Sequence, residues 1–276
     1  MSKEEFKTIR AELKLSRKTY ITPHYLRVYL SGEDVKLIEN TTIGVNNKIM
    51  IPPTGINKIH FPELDHEKME WIQPELSVRP SIRTYTHRGI DLEKNEIWID
   101  FVAHGEEGPA SAWAINAKVG DPLGVLMRDG KAELYPQAAH YLLVGDATAI
   151  PVLGAILADL PARAKGTCIL EVHDQSDEQV LSTKADINFI WLHNSQPELS
   201  SNLPEIVKQQ LLPERDRFAY VAAEFSAVKA IRTYLRKDQN WKQQELYAYS
   251  YWKAGVAEDQ SSKERHQEKE SIPDHG

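Results

Sequence analysis

The stretch His140-Tyr141-Leu142-Leu143-Val144-Gly145-Asp146-Ala147-Thr148-Ala149-Ile150-Pro151 decides the fold. Residues 140–144 form a near-continuous apolar run, the mark of a strand buried on both faces. Gly145-Asp146 interrupts it, and a helix is expected over about 148–159. Pro151 is compatible with the first helical turn, where its missing N–H would be unpaired anyway. Toward the C-terminus the same grammar repeats. Strands are expected at 167–172, 188–192, 217–222 and 245–250, and helices at 203–211 and 227–236. Short apolar strands alternating with helices indicate a parallel sheet covered on both faces, an α/β domain over residues 137–257. Residues 258–276 are rich in Glu, Lys, Gln and Ser, and are expected to form a disordered tail.

Toward the N-terminus the texture changes near Pro136. Residues 1–136 hold short alternating runs broken by Gly, Pro and Asn. Residues 9–30 read as two strands around 14–20, with the turn at Thr22-Pro23. Further strands are expected at 47–51, 83–86, 96–102 and 122–127, with only a brief helical stretch at 110–117. This spacing favours a closed antiparallel β-barrel. The expected architecture is therefore a β-barrel domain followed by a parallel-sheet α/β domain.

Composition narrows the function. The chain has 276 residues, which fits one large domain or two small ones, and its 41% hydrophobic content is enough for a real core. Its 40 acidic and 33 basic residues give a formal net charge of -7, which argues against general nucleic-acid binding, since phosphate neutralisation needs excess Lys and Arg. The single cysteine, Cys168, excludes a disulfide framework, a four-cysteine zinc site and an iron–sulfur cluster within one chain. No run approaches 18 consecutive apolar residues and residues 1–10 are polar, so neither a transmembrane helix nor a signal peptide is expected. A soluble, cytoplasmic monomer with no membrane partner is the expectation.

Three motifs stand out. In Arg83-Thr84-Tyr85-Thr86-His87-Arg88, strand alternation places Arg83, Tyr85 and His87 on one face and Thr84, Thr86 and Arg88 on the other. An ordinary exposed strand reads this way, and so does a flavin site with a ring to stack, a hydroxyl, and guanidiniums for phosphates. Next, His104-Gly105-Glu106-Glu107-Gly108-Pro109-Ala110-Ser111-Ala112-Trp113 runs from a strand end through a Gly-bearing loop into a short helix. Free N–H groups there suit a pyrophosphate, although a plain turn with an N-capping serine looks the same. Finally, Gly145-Asp146-Ala147-Thr148-Ala149 lies between strand and helix, where open α/β sheets take ligands. It is no Gly-x-Gly-x-x-Gly.

The order of these pieces, with Tyr251-Trp252-Lys253-Ala254-Gly255 at the end, resembles the siderophore-interacting proteins over residues 8–257. These are FAD-dependent ferric-siderophore reductases of the ferredoxin–NADP reductase superfamily. The resemblance implies that Arg83, Tyr85 and Thr86 hold the flavin, Tyr85 against the ring and Thr86 near its reactive edge, with Arg88 extending the grip on the phosphates. It places His104, Gly108, Ala110 and Ser111 at the pyrophosphate and ribityl chain, and Trp113 beside the adenine. Asp146, Thr148 and Ala149 match the loop that closes over FAD, and Trp252 and Gly255 the segment that covers the flavin. Lys48, Lys253 and one of Arg128 or Lys131 are the candidates for a basic siderophore-binding set. A lone lysine is as readily a solvated surface charge.

The implied reaction is single-electron reduction of Fe(III)-siderophore by FAD, releasing Fe(II) for iron assimilation. It needs no catalytic acid or base, and no resident metal is expected. Two departures bear on the donor: Ala147 stands where Gly-Asp-Glu-Thr-Ala has Glu, and Ala223 where Ala-Gly-Glu has Gly. Because alanine denies the close backbone approach glycine permits, ferredoxin is preferred over NAD(P)H. The alternatives are a general flavin or ferredoxin reductase, or a non-catalytic ferric-siderophore binding module. The siderophore class is not legible.

Overall fold

The structure is a computed structural model that describes residues 7–65, 68, 70–106 and 108–256. The residues expected to form a C-terminal tail lie outside the described set. The chain divides into two compact units, Met1–Ala132 and Glu133–Gly276.

The first unit runs β1 (Thr8–Thr22), β2 (Tyr25–Ser31), β3 (Asn46–Ile51), β4 (Glu63–Asp65), β5 (Glu70–Ile72), β6 (Ser81–Thr86), β7 (Gly89–Asp91), β8 (Glu96–Val102), α1 (Pro109–Asn116) and β9 (Pro122–Arg128). Seven strands form one antiparallel sheet in the order β6-β3-β9-β1-β2-β8-β7, and β4-β5 is a separate two-stranded piece. Alternation curls the sheet around one core: Ile9, Ala11 and Leu13 of β1 turn inward with Leu26, Val28 and Leu30 of β2 and Ile97, Ile99 and Phe101 of β8. The expected closed barrel is a half-barrel. Its edge strands β6 and β7 share no ladder, although only His87-Arg88 separates them in the chain. His87 N–H donates to Val45 O on one side of this corner, and Arg88 N–H to Trp98 O on the other. The wrap is completed covalently rather than by strand pairing.

The second unit runs β10 (His140–Asp146), α2 (Ile150–Asp159), β11 (Lys165–Val172), β12 (Asp186–His193), α3 (Leu203–Lys208), β13 (Arg217–Glu224), α4 (Phe225–Thr233) and β14 (Leu246–Trp252). Its five strands are all parallel, in the order β12-β11-β10-β13-β14. Leu142, Val144, Ala219, Val221 and Ala223 face α3 and α4. Gly145, on the alternate face, lies against Ala149 and Leu153 of the α2 segment. The helix expected over 203–211 stops at Lys208. Leu211 is fully exposed, so no burial draws a further turn onto the sheet. The helix expected from Ala227 begins earlier, at Phe225, because Glu224 caps it: its Oε2 accepts from Ser226 N–H at 2.5 Å and Ala227 N–H at 3.4 Å.

Candidate functional site

On β6, Tyr85 packs against the fully buried Phe101, ring centroids 4.4 Å apart, and Phe101 against Trp113 of α1 at 6.1 Å. Trp113 thus belongs to the aromatic column under Tyr85. Arg83 Nη1 donates to Ile82 O at 2.7 Å. Thr86 is buried and lies opposite Asn46. Arg88 pairs with the buried Asp100, Nε 3.5 Å from Oδ2, while Arg27 donates to both oxygens of Asp100 at 2.6 and 2.8 Å. Its guanidinium therefore ties the corner to β8.

The loop before α1 is shaped by Ser111, which is 1% exposed. Its hydroxyl donates to Gly105 O at 2.6 Å and accepts from His104 N–H at 3.2 Å. Ser111 thus holds the loop's form. Gly108 is the N-cap and Pro109 follows it; no side chain caps the helix, and its first turn carries no acidic residue. A Cβ on Gly108 would lie 3.2 Å from His104 Cε1, so glycine lets the loop fold close above the helix. Uncapped first-turn amides at the positive end of the helix macrodipole are a donor set for a diphosphate.

Lys48 and Arg128 flank a hollow of about 240 Å³ lined also by Thr8, Asn46, Asn47, Leu126 and Met127. Lys48 Nζ donates to Thr84 Oγ1, directly across from it in the β3–β6 register. Lys131 is not among the hollow's lining: its ammonium reaches Thr41 O at 3.3 Å. Nearby, His87 is fully buried with neither ring nitrogen hydrogen-bonded. Burial, then the charge of Lys131, pushes its pKa down from 6.5 to about 4. The sign follows: between these values the unfolded chain binds a proton that the folded chain refuses. Stability is full above about pH 6.5 and falls as pH drops toward 4, by up to about 3 kcal/mol. Urea unfolding midpoints measured from pH 7 to 4 should show this slope, and His87→Leu should lose it. An unchanged slope in the variant would contradict it.

In the α/β unit, buried Asp146 ends β10. Its Oδ1 accepts from Thr148 N–H at 2.9 Å and Thr148 Oγ1–H at 2.5 Å; its Oδ2 accepts from the indole N–H of Trp252 at 2.7 Å. Burial raises its pKa, against the opposing pull of those hydrogen bonds. Ala149 is buried behind this turn, against Gly145. After Trp252 the chain turns through Gly255, whose φ of 71° suits glycine, and Val256 N–H closes onto Lys253 O at 3.2 Å. The Lys253 ammonium lies 4.8 Å from the centre of the Phe225 ring. Glu224 Oε1 accepts from Ala254 N–H at 3.3 Å, so one carboxylate ties this turn to the start of α4. The Ala223 methyl is buried in the α3–α4 core.

Residues 138–255 match the family described as siderophore-interacting protein, and residues 14–132 the siderophore-interacting FAD-binding domain. The ferric vibriobactin reductase ViuB of Vibrio cholerae is 32% identical over 268 residues, which cover 96% of this chain and 97% of that protein. The chain belongs to the siderophore-interacting protein family. Its fold matches that of the siderophore-interacting protein SipS from Aeromonas hydrophila, with a TM-score of 0.80, 30% identity, and coverage of 94% of this chain and 98% of the other. A ferredoxin NADP+ reductase from Neisseria gonorrhoeae shares the fold at 12% identity, with a TM-score of 0.58 and coverage of 88% and 99%.

FAD is the cofactor of this family member's first domain, and the residues fit it: uncapped α1 amides, a glycine where the loop needs closeness, and an aromatic column beside Arg83. The structure brings Lys48 and Arg128 together and directs Lys131 elsewhere. Sequence reasoning missed the capping roles of Asp146 and Glu224, although an acidic residue just before each helix was a readable signal. Among the described residues, no helix is long and apolar enough to cross a membrane.

Proposed function

We propose that this chain is an FAD-dependent reductase of ferric siderophores. The observation that carries the reading is the hydrogen bond from Lys48 to Thr84. It sets a hollow flanked by two cations against the strand that bears Tyr85 and Thr86. Ferric siderophores are often anionic, and a local cationic site answers that charge where a net charge of -7 does not. The name of the Vibrio cholerae relative supports the reading. Bound FAD supplies electrons one at a time. The protein's own part is to hold the phosphates at α1, support the ring through Tyr85, and seat the substrate at Lys48 and Arg128. Siderophore oxygens are hard donors that hold Fe(III) far more tightly than Fe(II), so reduction alone loosens the metal. Turnover with a ferric siderophore should exceed that with an unchelated dye; equal rates would point to a general reductase.

A single-electron protein donor of the ferredoxin type is preferred over NAD(P)H. Asp146, Glu171 and Glu224 are buried carboxylates at the ends of β10, β11 and β13, where such sheets take ligands. Asp146 and Glu224 already accept the N–H groups that open the following helical segments. Both carboxylates also belong to the Gly-Asp-Glu-Thr-Ala and Ala-Gly-Glu patterns, so the preference rests on Ala147, which stands where the first pattern has Glu. With NADPH at micromolar concentration under anaerobic stopped flow, flavin bleaching should run at least about 100-fold below the ordinary enzymatic range of about 1–10³ s⁻¹. Bleaching within that range would overturn the donor assignment.

A further inference from the structure

Lys18 lies outside every motif above, yet it is built into the part of the first domain that takes the diphosphate. Its ammonium donates to three carbonyls at the C-terminal end of α1: Ala114 O at 3.1 Å, Ile115 O at 2.5 Å and Ala117 O at 2.9 Å. The helix has no other cation in its last turn.

The reason Lys18 points there is a β-bulge. Leu15 pairs with Leu30, but the next pair is Arg17 with Tyr29, so Ser16 is an extra residue on β1. Before the bulge the odd residues Ile9, Ala11, Leu13 and Leu15 face the core. After it the parity reverses: Lys18 lies opposite Val28, and Tyr20 opposite Leu26, both core residues of β2. Without Ser16 as an inserted residue, Arg17 would take the inward place. Ser16 is itself held, its hydroxyl donating to Glu96 Oε1 at 2.7 Å.

We propose that Lys18 is a positioning residue for FAD, acting through α1 on its diphosphate. This rests on α1 being the diphosphate cradle. An eight-residue helix is too short to hold its own geometry, and the ammonium clamps its far end by three hydrogen bonds. It also neutralises the negative pole of the helix. The positive pole at Pro109–Ser111 then faces the anion without an opposing charge 8 residues away. Partial burial lowers the lysine's pKa, and Asp121 opposes that shift.

The test is flavin binding by the full chain stripped of flavin, followed by fluorescence quenching with FAD and separately with riboflavin, which has the ring but no phosphate. Lys18→Met should weaken FAD about 10-fold and leave riboflavin within about twofold, and Lys18→Arg should restore FAD. Lys18→Gln, which keeps a donor without the charge, provides the same comparison should the methionine variant be insoluble. Equal losses for both flavins, or no loss for FAD, would overturn the proposal, since a general distortion does not discriminate a phosphate. Wild-type protein that bound riboflavin as tightly as FAD would instead overturn the cradle itself.

Discussion

Reversing both charges of the barrel hollow, Lys48→Glu with Arg128→Glu, lowers kcat/KM for a ferric siderophore by at least about 100-fold, mostly through KM, while FAD stays bound. The two cations flank a hollow of about 240 Å³, so each reversal replaces an attraction for an anionic chelate by a repulsion. Near a protein surface a pair of unit charges a few ångströms apart interacts by a few kcal/mol before screening. Two reversals therefore exceed the roughly 2.8 kcal/mol that a 100-fold change requires. Lys48→Met removes one cation together with its hydrogen bond to Thr84 and is expected to cost about 10-fold. Lys131→Glu, at a side chain directed to Thr41, should fall well short of the double reversal. A double variant with unchanged KM would remove the hollow from the substrate path.

Gly145→Ala costs of order 4 kcal/mol of stability in the α/β domain, which is near the upper end for a single added methyl. Its Cβ would lie 2.5 Å from Ala149 Cβ, 2.9 Å from Ala222 O and 3.0 Å from Leu153 Cδ1. One of these is strand backbone and one begins the helical segment, so neither gives way easily. The strain falls on the residue before Asp146, whose carboxylate holds Thr148 and the Trp252 indole. Denaturant unfolding should show the loss, with the near-ultraviolet signal of Trp252 altered even where the variant is folded. A change below about 1 kcal/mol would mean that α2 can lift from the sheet, contrary to the packing described.

The α/β half was legible because its signal is local: an apolar run over β10, Gly145 as the break, then a helical stretch, with the same alternation repeated toward the C-terminus. Arg83 to Thr86 likewise read as a strand from its own alternation. What escaped the reading is set by distant partners. The Ser16 bulge exists only relative to β2, so the parity that turns Lys18 inward cannot be seen in β1 alone. The Asp146–Trp252 bond joins residues 106 positions apart. Closure of the barrel was expected from strand spacing, but spacing does not reveal that the first and last strands of the sheet are sequence neighbours joined at His87-Arg88. The placing of Arg128 and Lys131 also needed coordinates, since Arg128 ends β9, Lys131 follows three residues later, and only Arg128 lines the hollow.

The most direct test of the central claim is a single-turnover experiment. The bound flavin is reduced by light without oxygen, one ferric siderophore is added, and the oxidised flavin band is followed with a ferrous trap present. The account predicts rapid return of that band with ferrous iron appearing at two equivalents per flavin. A flavin that stays reduced against catecholate and hydroxamate siderophores alike would contradict it.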